Sequence, residues 1–283
     1  MSNTPSASPS PAAPSPVPSS LFPLPSPLFP LPCSLPQWCI VLPAYNEEDN
    51  LTYVVDDVLA TFEKMQVPCR ILIVDDGSID RTPQIADAYA ARLNQVAVVH
   101  HSTNLGFGEA LKTGYAAAEG DLVVVIPTDR QFRCEDLSQC LPHLHDHDIV
   151  SCVRRDRRDP ALRRLASATY RKLVHGLFGL KLDDINWVKI YRTELIRRIE
   201  IESQGPFIDT EILVKAHRLG ARIKQVDVPH YPRVAGKATG AGLRAMAKTF
   251  ADLFRLWHRL RSALAAVSPV AGSTDQHPAS SVT

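Results

Sequence analysis

No stretch of this 283-residue chain is apolar over the roughly 20 residues that a membrane-spanning helix needs, so it is expected to be soluble or to lie on a membrane surface. An excess of charge is missing too. Thirty-one Lys and Arg stand against 30 Asp and Glu, a formal net charge of +1, and nucleic acid is not an expected partner. The six cysteines (Cys33, Cys39, Cys69, Cys134, Cys140, Cys152) contain no CxxC pair and no histidine at zinc spacing. Free thiols in a reducing, cytoplasmic setting are expected rather than disulfides or a metal centre. Neither G-x-G-x-x-G nor G-x-x-x-x-G-K-[ST] occurs, and Gly106-Phe107-Gly108 is only a partial echo, which argues against a dinucleotide dehydrogenase or a P-loop enzyme. With no G-x-S-x-G elbow and no cysteine marked out as a nucleophile, hydrolysis by covalent catalysis is unsupported.

Proline is plentiful but uneven. Residues 1–36 are mostly Pro, Ser, Ala and Leu and carry no periodic apolar face, so a disordered tail is expected there. Prolines interrupt residues 21–35 every two or three positions, unlike the unbroken apolar stretch of a secretory signal, and export is not expected. From residue 37 the pattern changes. Short apolar runs at 38–42, 70–74, 96–100 and 121–126 read as buried strands, and helical spacing fills 49–65, 82–93 and 108–118 between them. Thr82 before Pro83 reads as a helix N-cap. This alternation predicts an α/β fold: a Rossmann-like, mostly parallel sheet with helices on both faces. Further on, 134–144, 162–177 and 206–219 read as helices, and 148–153, 187–191 and 223–228 as strands. One domain over 37–240, a C-terminal amphipathic helix over 241–267 and a polar tail over 268–283 complete the expected organisation.

Ligands of an open parallel sheet bind beyond the carboxyl ends of its strands. There the sequence places Pro43-Ala44-Tyr45-Asn46-Glu47-Glu48, Asp75-Asp76-Gly77-Ser78, Asn104-Leu105-Gly106 and Thr128-Asp129-Arg130-Gln131. Asp75 and Asp76 have two readings: an Asx-turn before Gly77, or carboxylates that accept from a nucleobase N–H and ribose hydroxyls. Asp129 suits a cation-holding role, because two like charges about 4 Å apart repel by roughly 4 kcal/mol at an effective dielectric near 20. Beside a diphosphate, such an acid makes sense with Mg²⁺ or Mn²⁺ between them.

These motifs resemble the family 2 glycosyltransferases, over about residues 37–240. The likeness is carried by Val41-Leu42-Pro43-Ala44-Tyr45-Asn46-Glu47-Glu48, by Val74-Asp75-Asp76-Gly77-Ser78-Ile79-Asp80-Arg81-Thr82, and by Asn104-Leu105-Gly106 with Ala110 and Gly114. Within the family the chain is similar to the dolichol-phosphate mannose synthase branch. Asp183-Asp184-Ile185-Asn186-Trp187-Val188-Lys189-Ile190-Tyr191-Arg192 resembles that branch's D-x-x-S-G-F-R-x-Y-R segment, and Arg233-Val234-Ala235-Gly236-Lys237 its R-x-x-G segment. The resemblance implies a GT-A fold, a nucleotide-sugar donor, inverting transfer, and polyprenyl phosphate as acceptor. Carried over by position, Pro43, Ala44, Tyr45 and Glu47 would line the nucleotide pocket with Val74, Asp75 and Asp76. Asp129 would hold the metal, with Thr128 and Gln131 at the donor, while Arg154, Arg233 and Lys237 would meet phosphate oxygens.

Three departures stand out. Pro127-Thr128-Asp129 replaces the family's D-x-D, Trp187-Val188-Lys189 stands where Gly-Phe-Arg is usual, and Lys237-Ala238-Thr239 where a later lysine is usual. The lost acid leaves a catalytically impaired nucleotide-sugar-binding protein as one alternative and a soluble acceptor as another. A sugar-nucleotide pyrophosphorylase is disfavoured, since 43–48 has neither Gly nor Lys. Asp183, Asp184 and Glu211 are candidate general bases, although acids such as Glu211 also suit a helix N-terminus. Many members of this branch end in transmembrane helices, and here residues 243–267 offer a different route to lipid. Met246, Phe250, Leu253, Trp257, Leu260 and Leu264 form a stripe beside Arg244, Lys248, Arg255, Arg259 and Arg261. That helix either packs on the domain or lies peripherally at the cytoplasmic membrane face.

Overall fold

The computed structural model describes residues 27–29, 31, 35–155, 161–203, 205–232 and 243–266. Most of the two tails expected to be disordered lies outside these residues. The first half of the domain is the expected alternation of β1 (Trp38–Ala44), α1 (Leu51–Met65), β2 (Cys69–Asp75), α2 (Thr82–Arg92), β3 (Val96–His100), α3 (Phe107–Ala116) and β4 (Leu122–Val125). Every residue of β1 is buried, as befits a central strand covered by helices on both faces. Its side chains alternate. Trp38, Ile40 and Leu42 enter one core with α1, while Cys39 and Val41 enter the other with α3. Gly114 lets α3 approach, because a Cβ there would stand 2.3 Å from Val41 Cγ1.

The second half adds β5 (Ile149–Arg154), α4 (Ala161–Phe178), β6 (Lys189–Arg192), α5 (Thr193–Arg197), α6 (Ile208–Arg218), β7 (Ile223–Val228) and α7 (Leu243–Ala266). The strands form one seven-stranded sheet in the order β3-β2-β1-β4-β6-β5-β7. Only β6 runs against the rest, pairing antiparallel with both β4 and β5. This is the mostly parallel α/β sheet expected. The reversal has a consequence for the site: the carboxyl ends of β4 and β5 and the amino end of β6 meet on one side of the sheet, so residues 183–188 arrive beside Asp129 and Arg154.

Two local expectations need correction. Residues 134–144, read as one helix, form two 3₁₀ turns, Cys134–Gln139 and Leu141–His143. Pro142 lacks the N–H that a continuous α-helix would use there. Thr82 is the first helical residue of α2 rather than its cap; Asp80 Oδ1 accepts the Thr82 N–H at 2.8 Å, and Thr82 Oγ1 accepts the Glu47 N–H at 2.8 Å.

Candidate functional site

The crevice is built from loops that bond to one another. After β1 the buried Pro43 and Ala44 lead to Tyr45, which is 44% exposed. The chain turns at Asn46, whose φ of 55° is one that asparagine tolerates. Asn46 donates its N–H to Ser78 Oγ at 3.0 Å, and its Oδ1 accepts the Ile79 N–H at 2.9 Å. Glu48 N donates to Asp80 Oδ2 at 3.2 Å, and Glu47 Oε2 accepts from Asn50 Nδ2 at 2.7 Å. The loops after β1 and β2 therefore form one bonded unit.

Beyond the buried Val74, Asp75 and Asp76 are almost fully enclosed. Asp75 Oδ1 accepts the Ser78 N–H at 3.0 Å, closing an Asx-turn. Its other oxygen lies 2.8 Å from His100 Nδ1, and this bond raises the His100 pKa. Asp76 accepts the Leu105 N–H at 2.9 Å and the Gly106 N–H at 2.8 Å. His101 Nδ1 donates to it at 2.7 Å, and His101 Nε2 lies 2.9 Å from Thr113 Oγ1. Both acids thus shape the turns, and Gly77 completes the packing: at φ +68°, a Cβ would stand 2.3 Å from the Thr103 carbonyl carbon.

At the end of β4, Thr128 Oγ1 donates to the Pro43 carbonyl at 3.0 Å, tying this strand end to that of β1. Asp129, half-buried, accepts the Gln131 N–H on Oδ1 at 3.1 Å. The Gln131 carbonyl accepts the Tyr231 N–H at 3.3 Å. Arg130 has a φ of 61° and lays its guanidinium over the Tyr53 ring, 3.7 Å from its centroid.

The opposite wall is cationic and balanced. Arg154 makes a two-pronged bond to Asp184 at 2.7 and 2.9 Å, donates to the Asn186 carbonyl at 3.3 Å, and lies 4.4 Å above the Trp187 ring. Trp187 meets Phe132 and His230 edge-on at 6.2 and 5.4 Å. Lys189, 2% exposed, donates to the Trp187 carbonyl at 2.7 Å and pairs with Asp209 at 3.0 Å. Burial pushes the Asp209 carboxyl up, with Lys189 pulling the other way. Asp183 is exposed, and its N–H donates to Gln225 Oε1 at 2.7 Å. Glu211 is enclosed and turned to other work: it accepts the Glu202 N–H at 3.2 Å and the Ser203 N–H at 2.7 Å, and meets Lys215 Nζ at 2.8 Å. Burial raises its carboxyl, but Lys215 and Ser203 outweigh that and hold it below the ordinary value.

The sequence motifs did not single out Tyr53, Asp209 or Tyr231, whose roles come from long-range contacts. A lysine inside the apolar run 187–191 was the one available signal for Lys189. Arg233 and Lys237 lie outside the described residues. Among the described residues no group of three or more His, Cys, Asp or Glu side chains is arranged to hold a metal ion.

Strand ends bonded around one crevice in a mostly parallel sheet define an α/β protein of the GT-A type. The solved structure of mannosyl-3-phosphoglycerate synthase from Rubrobacter xylanophilus superposes with a TM-score of 0.64 at 19% identity, covering 86% of this chain and 79% of that one. Glucosyl-3-phosphoglycerate synthase from Mycobacterium tuberculosis, in complex with Mn²⁺, uridine-diphosphate-glucose and phosphoglyceric acid, gives 0.62 at 22% identity, covering 79% and 80%. The chain belongs to glycosyl transferase family 2, whose family model matches residues 39–200. It is 29% identical over 203 residues to an undecaprenyl-phosphate 4-deoxy-4-formamido-L-arabinose transferase of Shewanella sediminis, an alignment spanning 70% of this chain and 60% of that one. Glycosyltransferase AglD of Haloferax volcanii is 30% identical over 206 residues, spanning 69% of this chain and 33% of the relative.

Proposed function

We propose that this protein is an inverting hexosyltransferase that moves a sugar from a nucleotide-sugar donor to a polyprenyl phosphate. The observation that carries the reading is Asp129 at the end of β4, held beside the β1 exit by the Thr128–Pro43 bond. Family membership and relatives named as undecaprenyl-phosphate sugar transferases support it. Pro43, Ala44, Tyr45, Glu47 and Val74 would wall the nucleotide, while Asp75 and Asp76 would hold the loops that shape its pocket. Thr128 and Gln131 would flank the diphosphate, and Arg154, Arg233 and Lys237 would serve the phosphate-bearing acceptor.

A divalent cation suits this acid set provided the donor contributes ligands, since Mg²⁺ is commonly held by one or two carboxylates, substrate phosphates and water. Asp129 would be the protein's carboxylate on it, and the bound ion would offset charge on the departing diphosphate. In the transfer, an acceptor phosphate oxygen bonds to the sugar's anomeric carbon as that carbon's bond to the diphosphate oxygen breaks, inverting the centre. A phosphate is already ionised, so no base need deprotonate it. This agrees with the engagement of Asp184 by Arg154, Asp209 by Lys189 and Glu211 by Lys215. Asp184 and Glu211 would then be positioning groups, leaving the exposed Asp183 as the candidate base for a hydroxyl acceptor.

Assays of UDP-, GDP- and dTDP-sugars with undecaprenyl phosphate and Mn²⁺ test the reading. Asp129→Ala is expected to melt like the wild type and to lose roughly 100-fold or more in transfer, as removal of several kcal/mol of charge stabilisation implies. Wild-type turnover in a folded Asp129→Ala protein would sink the assignment, and donor binding without turnover in the wild type would point to an impaired, binding-only protein. A second reading, a soluble phosphate-bearing acceptor, is favoured by the phosphoglyceric acid named in the solved structure. Phosphoglycerate in place of the lipid separates the two. For a lipid acceptor, the outer basic face of α7 is proposed to meet the membrane surface.

A further inference from the structure

Arg130 is unusual for three reasons that do not depend on one another. Among the described residues, Asn46, Gln66 and Arg130 are the non-glycines with positive φ. Asparagine tolerates that conformation, and Gln66 closes the C-terminus of α1, where the left-handed region is a common helix ending. Arg130, at 61°, has neither reason, and such outliers tend to be retained where function over-determines them. Secondly, its guanidinium is fixed 3.7 Å over Tyr53 while its Nε is shielded from solvent without a hydrogen-bond partner. Thirdly, it directly follows Asp129, and Tyr53 sits in the first turn of α1, at the carboxyl end of β1. The cation therefore stands at the crevice, in a segment where Pro127 occupies the place of an acid.

We infer that Arg130 is an anion-binding residue of the donor site, stacked on Tyr53 so that its planar fork takes the diphosphate of a nucleoside-diphosphate donor. This rests on the nucleotide-sugar reading above. Two carboxylates beside a diphosphate would leave its attraction to the protein dependent on the metal. One carboxylate with an adjacent guanidinium makes the segment neutral, and the guanidinium supplies direct, charge-assisted bonds to phosphate oxygens. The stacked ring holds the fork in one orientation, which lowers the entropy lost when it binds. Nucleoside-diphosphate binding should consequently survive removal of divalent metal.

The experiment titrates UDP, GDP and dTDP calorimetrically into the wild type, Arg130→Gly and Arg130→Lys, in Mn²⁺ and in EDTA, with melting curves alongside. Glycine accepts the backbone conformation without strain, so Arg130→Gly is expected to melt at or above the wild-type temperature. The wild type is expected to bind one of the diphosphates in EDTA. Arg130→Gly should bind it about tenfold or more weakly, the loss of one charge-assisted bond, with Arg130→Lys between them. If Arg130→Gly binds within about threefold of the wild type in both buffers, or loses melting temperature with affinity unchanged, Arg130 is structural and the inference is overturned. A wild type that binds none of the three in either buffer overturns the nucleotide-sugar reading along with it.

Discussion

Asp76 illustrates what a residue's neighbours add to its sequence context. As the second acid of an Asp-Asp-Gly-Ser run it was equally readable as a turn former or a nucleotide contact. Two backbone N–H groups and a histidine converge on its carboxylate, from Leu105, Gly106 and His101. All three partners lie 25 or more residues away, and no local pattern announces them. Asparagine has one carbonyl oxygen, so Asp76→Asn leaves one of these donors facing an amide N–H₂. An unsatisfied buried donor costs about 1–3 kcal/mol, and urea unfolding of the variant should reveal a loss of that size. Unchanged stability with impaired donor binding would reverse the order of its roles. The pairing of Arg154 with Asp184 is similar: each was visible as a candidate, but their mutual engagement depends on which strand ends meet.

At the scale of elements, apolar periodicity located nearly every strand and helix, because it reports which faces are buried. It does not report polarity. The segment around β6 was legible as a strand, but its reversal depends on the connection through α4 and the loop before Lys189. The reversal is what delivers Asp184 and Trp187 to the crevice, so this part of the site was hidden although its residues were not. The β1–α3 contact was legible only as Gly114 within a helical pattern. Gly114→Ala should force the α3 backbone and Val41 apart from a 2.3 Å approach, and overpacking of this kind costs about 1–3 kcal/mol. Adding Val41→Ala to Gly114→Ala opens space for the new methyl group. A double-mutant cycle on melting free energies should therefore show a favourable coupling between them. Strict additivity would mean that the helix moves as a body instead.

For the whole molecule the open matter is how a chain without a described membrane-spanning helix would meet a lipid acceptor. The α7 stripe, which the sequence left open between core and membrane, packs inward. Leu253 and Leu256 are fully buried, while Phe250, Trp257 and Leu260 lie against the same core. Burial of each such leucine is worth about 1.5–3 kcal/mol, and exchanging that for lipid would gain little, because both surroundings are apolar. Insertion of this stripe is not expected. The outer face instead presents Phe254, Arg255, His258, Arg259 and Arg261, all exposed. Part of that charge is already answered, since Arg255 pairs with Asp252, Arg259 with Glu202, and Arg261 stacks on Trp257. Each cation near an anionic surface contributes roughly 1 kcal/mol, so the contact we propose is weak, electrostatic and sensitive to salt. The full chain should sediment with anionic vesicles at low salt, stay behind with neutral ones, and be released by high salt. Arg255→Glu with Arg261→Glu should abolish sedimentation while leaving the melting temperature nearly unchanged, because neither exposed side chain carries the inner stripe. A wild-type chain that remains in the supernatant with anionic vesicles at low salt would remove the membrane contact and favour the soluble, phosphate-bearing acceptor.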